Sequence, residues 1–202
     1  MEKAIFFDMD GVLVEYNPQD YKRPQPLHEI VGNHYFQHLN KDGYAVTLFH
    51  ELMRAITKNG LDDVIGVGII STTSEPADLS FEQRVDKKLW VWDHMVGSFG
   101  TLPPQISHES KPTLARIALN MEEDAPLNKN IILIDDFNKN LVEWEQAGGR
   151  GVKYLNGQNS KLSWDGLNIS KATAKQKAIE TLLAYAMEEI KEGSYDNALS
   201  EL

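Results

Sequence analysis

Cysteine is absent from the 202 residues, which excludes disulfide staples and thiolate chemistry and is compatible with a reducing compartment. Basic charge is scarce: 20 Lys and Arg stand against 30 Asp and Glu, a formal net charge of −10. With no basic surplus to neutralise phosphates in bulk, the charge argues against general affinity for nucleic acid or anionic membrane, and any bound phosphate must be met locally. No apolar run approaches the roughly 20 residues that span a bilayer, and the first residues lack a basic segment leading into a long apolar one. A cytoplasmic protein without a membrane partner is expected. Internal repeats and low-complexity tracts are missing, as is any GxxxxGK[ST] phosphate loop. The two glycines of "GVGII" (66–70) lie inside a strand pattern, with no third glycine at dinucleotide-binding spacing.

What is present is the composition of a folded domain, 42% hydrophobic and 25% charged, large enough to bury a full core. Short apolar blocks alternate with longer amphipathic ones, the pattern of a parallel sheet wrapped by helices. "AIFF" (4–7), "VIGVGII" (64–70), "IILI" (131–134) and "GVKYL" (151–155) read as strands. Helices are expected over 44–60, ending at Gly60; over 81–95, with Ser80 as N-cap; over 112–121, opening on Pro112; over 139–149, ending in glycines; and over 171–193. Residues 15–34 hold three prolines and interrupt the alternation, so a small cap is expected at about 15–40, inserted after the first strand. Residues 156–170 are turn-rich and read as a surface excursion. The expectation is one α/β domain over 1–202, a doubly wound parallel sheet with that cap.

In such a sheet the ligand site lies at the carboxyl ends of the strands. Asp8 and Asp10 follow the first block, Ser71 and Thr72 the second, Asp135 and Asp136 the third. Alternation along an extended backbone puts Asp8 and Asp10 on one side and Met9 on the other. Carboxylates converging on one crevice repel unless a cation sits among them, and a few hard oxygen ligands suit Mg²⁺ better than zinc or calcium. Lys111, at the start of a helix in "SHESKPTLARIA" (107–118), stands where an ammonium and free backbone N–H groups attract phosphate. Lys87 and Lys88 are rivals for that part, placed inside a helix. The chemistry that fits is phosphoryl transfer, with Asp8 attacking to form an aspartyl-phosphate and Asp10 moving the proton.

The set "DMDGVL" after a strand, a hydroxyl residue after the second strand, a lysine before a helix and "LIDD" after a further strand resembles the four motifs of the haloacid dehalogenase-like phosphatase superfamily, in the right order. "DMDGVLVEY" (8–16), "STTSEP" (71–76), "KKLWVWDHMVG" (87–97) and "IDDFNKNLVEWEQAGG" (134–149) are most similar to its 5′(3′)-deoxyribonucleotidase group. The resemblance implies Asp8 as nucleophile and Asp10 as acid/base, with the Asp10 main-chain carbonyl on the metal. It implies Thr72 as phosphate ligand, with Ser71 the competitor; Lys111 as stabiliser of the phospho-enzyme; and Asp136 on Mg²⁺ with Asp135 beside it. Where some members carry a further acid four residues past the metal-binding Asp, this chain has Asn140. It thus resembles the variant that uses an adjacent acidic pair.

The function expected is a Mg²⁺-dependent phosphomonoesterase acting on a small phosphorylated molecule, a nucleoside monophosphate favoured. A phosphatase for another metabolite such as a sugar phosphate, and an inactive phosphate- or nucleotide-binding module, are the alternatives. His34 and His38, four apart, lack the glutamate of a zinc-protease helix and read as solvated or packed. Trp90, Trp92 and Trp144 lie in helix patterns and read as core or partly exposed packing groups, while Tyr16, Tyr21, Tyr35 and Phe36, which flank or occupy the cap, could stack on a base. "NIS" at 168–170 matches a glycosylation sequon without further support.

Overall fold

The computed structural model describes residues 2–15, 34–73, 77–95, 100–157 and 164–188. Most of the expected cap, with Tyr16 and Tyr21, and the end of the expected last helix lie outside the described residues.

The apolar blocks form strands because side chains along them are buried on both faces. β1 (Ala4–Asp8), β2 (Gly66–Thr72), β3 (Gln105–Ser107), β4 (Ile131–Asp135), β5 (Arg150–Leu155) and β6 (Leu167–Ser170) make one sheet in the order β3-β2-β1-β4-β5-β6. Every pairing is parallel, with Asp8 opposite Ile70 and Asp135 opposite Lys153. The helices are α1 (Gly43–Lys58), α2 (Ala77–His94), α3 (Lys111–Leu119), α4 (Asn138–Gln146) and α5 (Lys175–Met187), with a 3-10 turn at Tyr35–His38.

Alternation divides the core into two layers. Ile5, Phe7, Ile69, Ile132, Ile134, Val152 and Tyr154 face α1, α2 and α5. Ala4, Phe6, Ile70, Ile131 and Leu133 face α3 and α4. Helix ends follow local chemistry: Asp42 caps α1, accepting from the Tyr44 and Ala45 N–H groups at 3.0 and 3.1 Å, and Ser110 caps α3.

Several expectations change. β3, only three residues long, was not among the expected strands. Residues 167–170 are the edge strand β6 and not a surface excursion; the sequon asparagine Asn168 gives its side-chain amide to the Trp164 and Gly166 carbonyls. Ser80 lies within α2, which begins at Ala77, and its hydroxyl meets that of Thr73 at 2.6 Å. Trp90 and Trp144 are core residues, whereas Trp92 is 67% exposed.

Candidate active site

β1 lies between β2 and β4, so Asp8 at its end is central. The Met9 N–H donates to Asp8 Oδ1 at 2.7 Å, and the chain then turns tightly, with the Val12 and Val14 N–H groups both donating to the Met9 carbonyl. Gly11 has φ +78°, and a Cβ there would lie 2.3 Å from Asp136 Oδ2. Glycine therefore serves both the left-handed turn and the close approach of the loop to that carboxylate. The loop is fastened at its base, where the Asp42 N–H donates to the Leu13 carbonyl and the Glu15 N–H to that of Asn40, each at 2.8 Å.

On the α3/α4 side, Lys111 is buried at the first turn of α3 and its ammonium is shared by Asp8 Oδ1, at 2.7 Å, and Asp135 Oδ2. Asp135 is further held by the Phe137 N–H at 2.7 Å and the Asn140 amide at 2.9 Å. Asp136 Oδ2 accepts from Asn156 at 2.7 Å, and the same amide donates to the Gly11 carbonyl at 3.0 Å. Lys153, buried on β5, donates to the Asp136 main-chain carbonyl and to Asn138 Oδ1.

On the other side, Lys87 reaches in from α2. It is buried and donates to Asp10 Oδ2, to Ser71 Oγ at 3.0 Å and to the Thr72 carbonyl at 2.7 Å, while the Phe36 ring lies 4.9 Å from its Nζ. Thr72, at the strand end, follows Ile70 on the face of Asp8, and Ser71 faces the α2 layer. Asp10 Oδ1 is buried without a hydrogen-bond partner among the described residues.

The electrostatics follow from this crowding. Burial raises the Asp8 pKa well above its ordinary value, reinforced by Asp135 and Asp10 and opposed by Lys111. Burial alone would lower Lys111, but the Asp135 and Asp8 carboxylates outweigh it and hold the ammonium charged. Lys153 is lowered by burial, against the pull of Asp136 and Asp135. Asp8, Asp135 and Asp136 each offer an oxygen, all within 4.8 Å of one another. An all-oxygen donor set of this kind fits a hard divalent cation. A cation there would offset the mutual repulsion and favour the charged form of Asp8.

The structure thus brings together Asp8, Asp10, Ser71, Thr72, Lys111, Asp135 and Asp136. Lys87, weighed only as a rival of Lys111, joins them; Lys88 is exposed and lies instead in an apolar groove with Trp92 and Pro103. Asn156 and Lys153 were missed. Asn156 directly follows β5, so the carboxyl-end rule applied to that strand would have found it; Lys153 left only one weak trace, a lysine inside an apolar block. His34 pairs with buried Asp86 at 2.9 Å.

No protein-family model matches the chain, and neither does any curated protein. Among solved structures, D,D-heptose 1,7-bisphosphate phosphatase from Burkholderia thailandensis matches with a TM-score of 0.50 at 13% identity, over 89% of this chain and 98% of that one. The chain shares its fold. The B. bronchiseptica enzyme of the same name, complexed with magnesium and phosphate, matches over 90% of this chain and 98% of that one, at TM-score 0.49 and 13% identity. A haloacid dehalogenase-like family hydrolase from Streptococcus pneumoniae matches at TM-score 0.49 and 15% identity, over 89% and 97%.

Proposed function

We propose that the chain is a Mg²⁺-dependent phosphomonoesterase in which Asp8 is the nucleophile. The observation that carries this reading is the setting of Asp8. It is buried at the end of the central strand, in contact with Lys111 and close enough to Asp135 and Asp136 to share a cation. Asp8, Asp136 and the Asp10 carbonyl would hold the metal, while Asp135, whose two oxygens already accept three donors, orients Lys111. The bound metal supplies Lewis-acid neutralisation of the charge between carboxylate and phosphate.

The chain's own residues do the rest. An Asp8 oxygen attacks phosphorus, the ester O–P bond breaks with its electrons leaving on the alkoxide, and Asp10 gives that oxygen its proton. Asp10 then takes a proton from water, which attacks the phosphorus of phospho-Asp8 and releases phosphate and the free carboxylate. Lys111, Lys87 and the Thr72 hydroxyl, with Ser71 behind, surround the place of the phosphoryl oxygens.

The substrate is a small phosphorylated molecule. A nucleoside monophosphate is supported by the local resemblance at 71–76 and 87–97 and by Phe36 beside Lys87. A sugar phosphate is supported equally, because the fold is shared with a heptose bisphosphate phosphatase. No helix among the described residues is long and apolar enough to cross a membrane; a cytoplasmic setting and a cap at about 15–40 belong to the same reading.

Hydrolysis of p-nitrophenyl phosphate should require Mg²⁺, cease with a chelator and fall at least about a thousandfold in Asp8→Asn. Full turnover in that variant would refute the covalent route and leave phosphate binding alone to explain the site. A panel of nucleotide and sugar monophosphates compared by kcat/KM separates the two substrate classes.

A further inference from the structure

β5 alternates strictly: Val152 and Tyr154 enter the core beneath α1 and α5. Lys153 therefore points to the opposite layer, opposite Asp135 in register, and is 1% exposed. An ammonium in such a place is strongly disfavoured without partners, and an apolar side chain of the same length would fill the volume. Its partners are not the carboxylates that Lys87 and Lys111 touch. They are the Asp136 main-chain carbonyl and Asn138 Oδ1, the two groups on either side of Phe137, where β4 turns into α4.

We propose that Lys153 is a positioning residue for the metal face of the site. Its ammonium clamps the β4–α4 turn and so fixes the direction of the Asp136 carboxylate, which Asn156 holds from the other side. This role rests on the reading of Asp8, Asp136 and the Asp10 carbonyl as the holders of Mg²⁺.

Charge and geometry make opposite predictions, which gives the proposal a sign. Removing a cation near a divalent-ion site tightens metal binding by Coulomb attraction alone. Loosening a ligand's support weakens it, commonly about tenfold or more. In Lys153→Met, which keeps the length and loses the ammonium, the Mg²⁺ dissociation constant measured by titration calorimetry rises about tenfold or more while circular dichroism stays that of the folded chain. An unchanged or tighter dissociation constant overturns the positioning role.

Asn138→Ala removes one of the two clamped groups without altering charge. It weakens Mg²⁺ a few-fold in the same direction, and so decides the matter if Lys153→Met does not fold: no weakening there rejects the clamp. Absence of Mg²⁺ binding by the unaltered chain removes the metal reading itself and this role with it. Normal binding that is indifferent to Lys153 removes this role alone.

Discussion

Asp8 and Asp10 stand one residue apart yet meet different cations. Met9 turns into the core as strand alternation expects, but Asp10 already belongs to the turn, and its partner Lys87 comes from the helix layer opposite to that of Lys111. The two carboxylates are therefore supported independently, as fits a nucleophile and a proton carrier with separate tasks. Another residue pair carries a pH signature. Hydrogen bonding to Asp86, aided by that carboxylate's charge and by Glu82, raises the His34 pKa above its ordinary 6.5. Because the folded value is the higher one, the pair's contribution to stability is fully present below 6.5 and is lost as pH rises through the folded value. A His34 titration followed by NMR should have its midpoint above 6.5 and move back towards 6.5 in Asp86→Asn; a midpoint unmoved by that substitution would show that the pair does not form.

At the scale of elements, β1, β4 and β5 were legible to within a residue because each is a short, nearly continuous apolar run. β2 was placed two residues early, since Ser71 and Thr72 look like a loop but extend the ladder to β3 through Ile106 and Ser107. β3 and β6 were not legible: "QIS" and "LNIS" are short edge strands whose partners supply most of the burial. The acidic residues of the site were visible because carboxylates following apolar runs are conspicuous. Of the buried lysines, Lys111 was visible because it opens a helix; Lys87 counted only as a rival, because a lysine inside a helix reads as a solvated one, and Lys153 was hidden inside an apolar block. Attachments between elements escaped as well. Asn130, buried just before β4, gives its amide to the Tyr185, Ala186 and Glu188 carbonyls at 2.9 to 3.0 Å, closing the last turn of α5. Asn130→Ala removes that amide from all three carbonyls, of which Tyr185 keeps the Glu188 N–H, and should lower unfolding stability by about 2 kcal/mol. Equilibrium denaturation checks it, and a change within about 0.5 kcal/mol would mean that α5 is held by packing alone.

For the molecule as a whole, a net charge of −10 coexists with a site where Lys87, Lys111 and Lys153 are buried among Asp8, Asp10, Asp135 and Asp136. Positive charge is concentrated where a phosphate would sit, as a chain without a basic surplus requires. Four of the six strands bring side chains to that point, and both helix layers close on it. In the proposed reaction a phosphoryl group passes through Asp8. The most direct measurement is acid quenching during turnover of a phosphomonoester with Mg²⁺, followed by peptide mass spectrometry with hydroxylamine trapping. One phosphoryl group, or its hydroxamate product, is expected on the peptide containing Asp8, absent in Asp8→Asn and absent when Mg²⁺ is chelated. Sustained turnover with the phosphoryl group trapped on another residue, or on none, would contradict it.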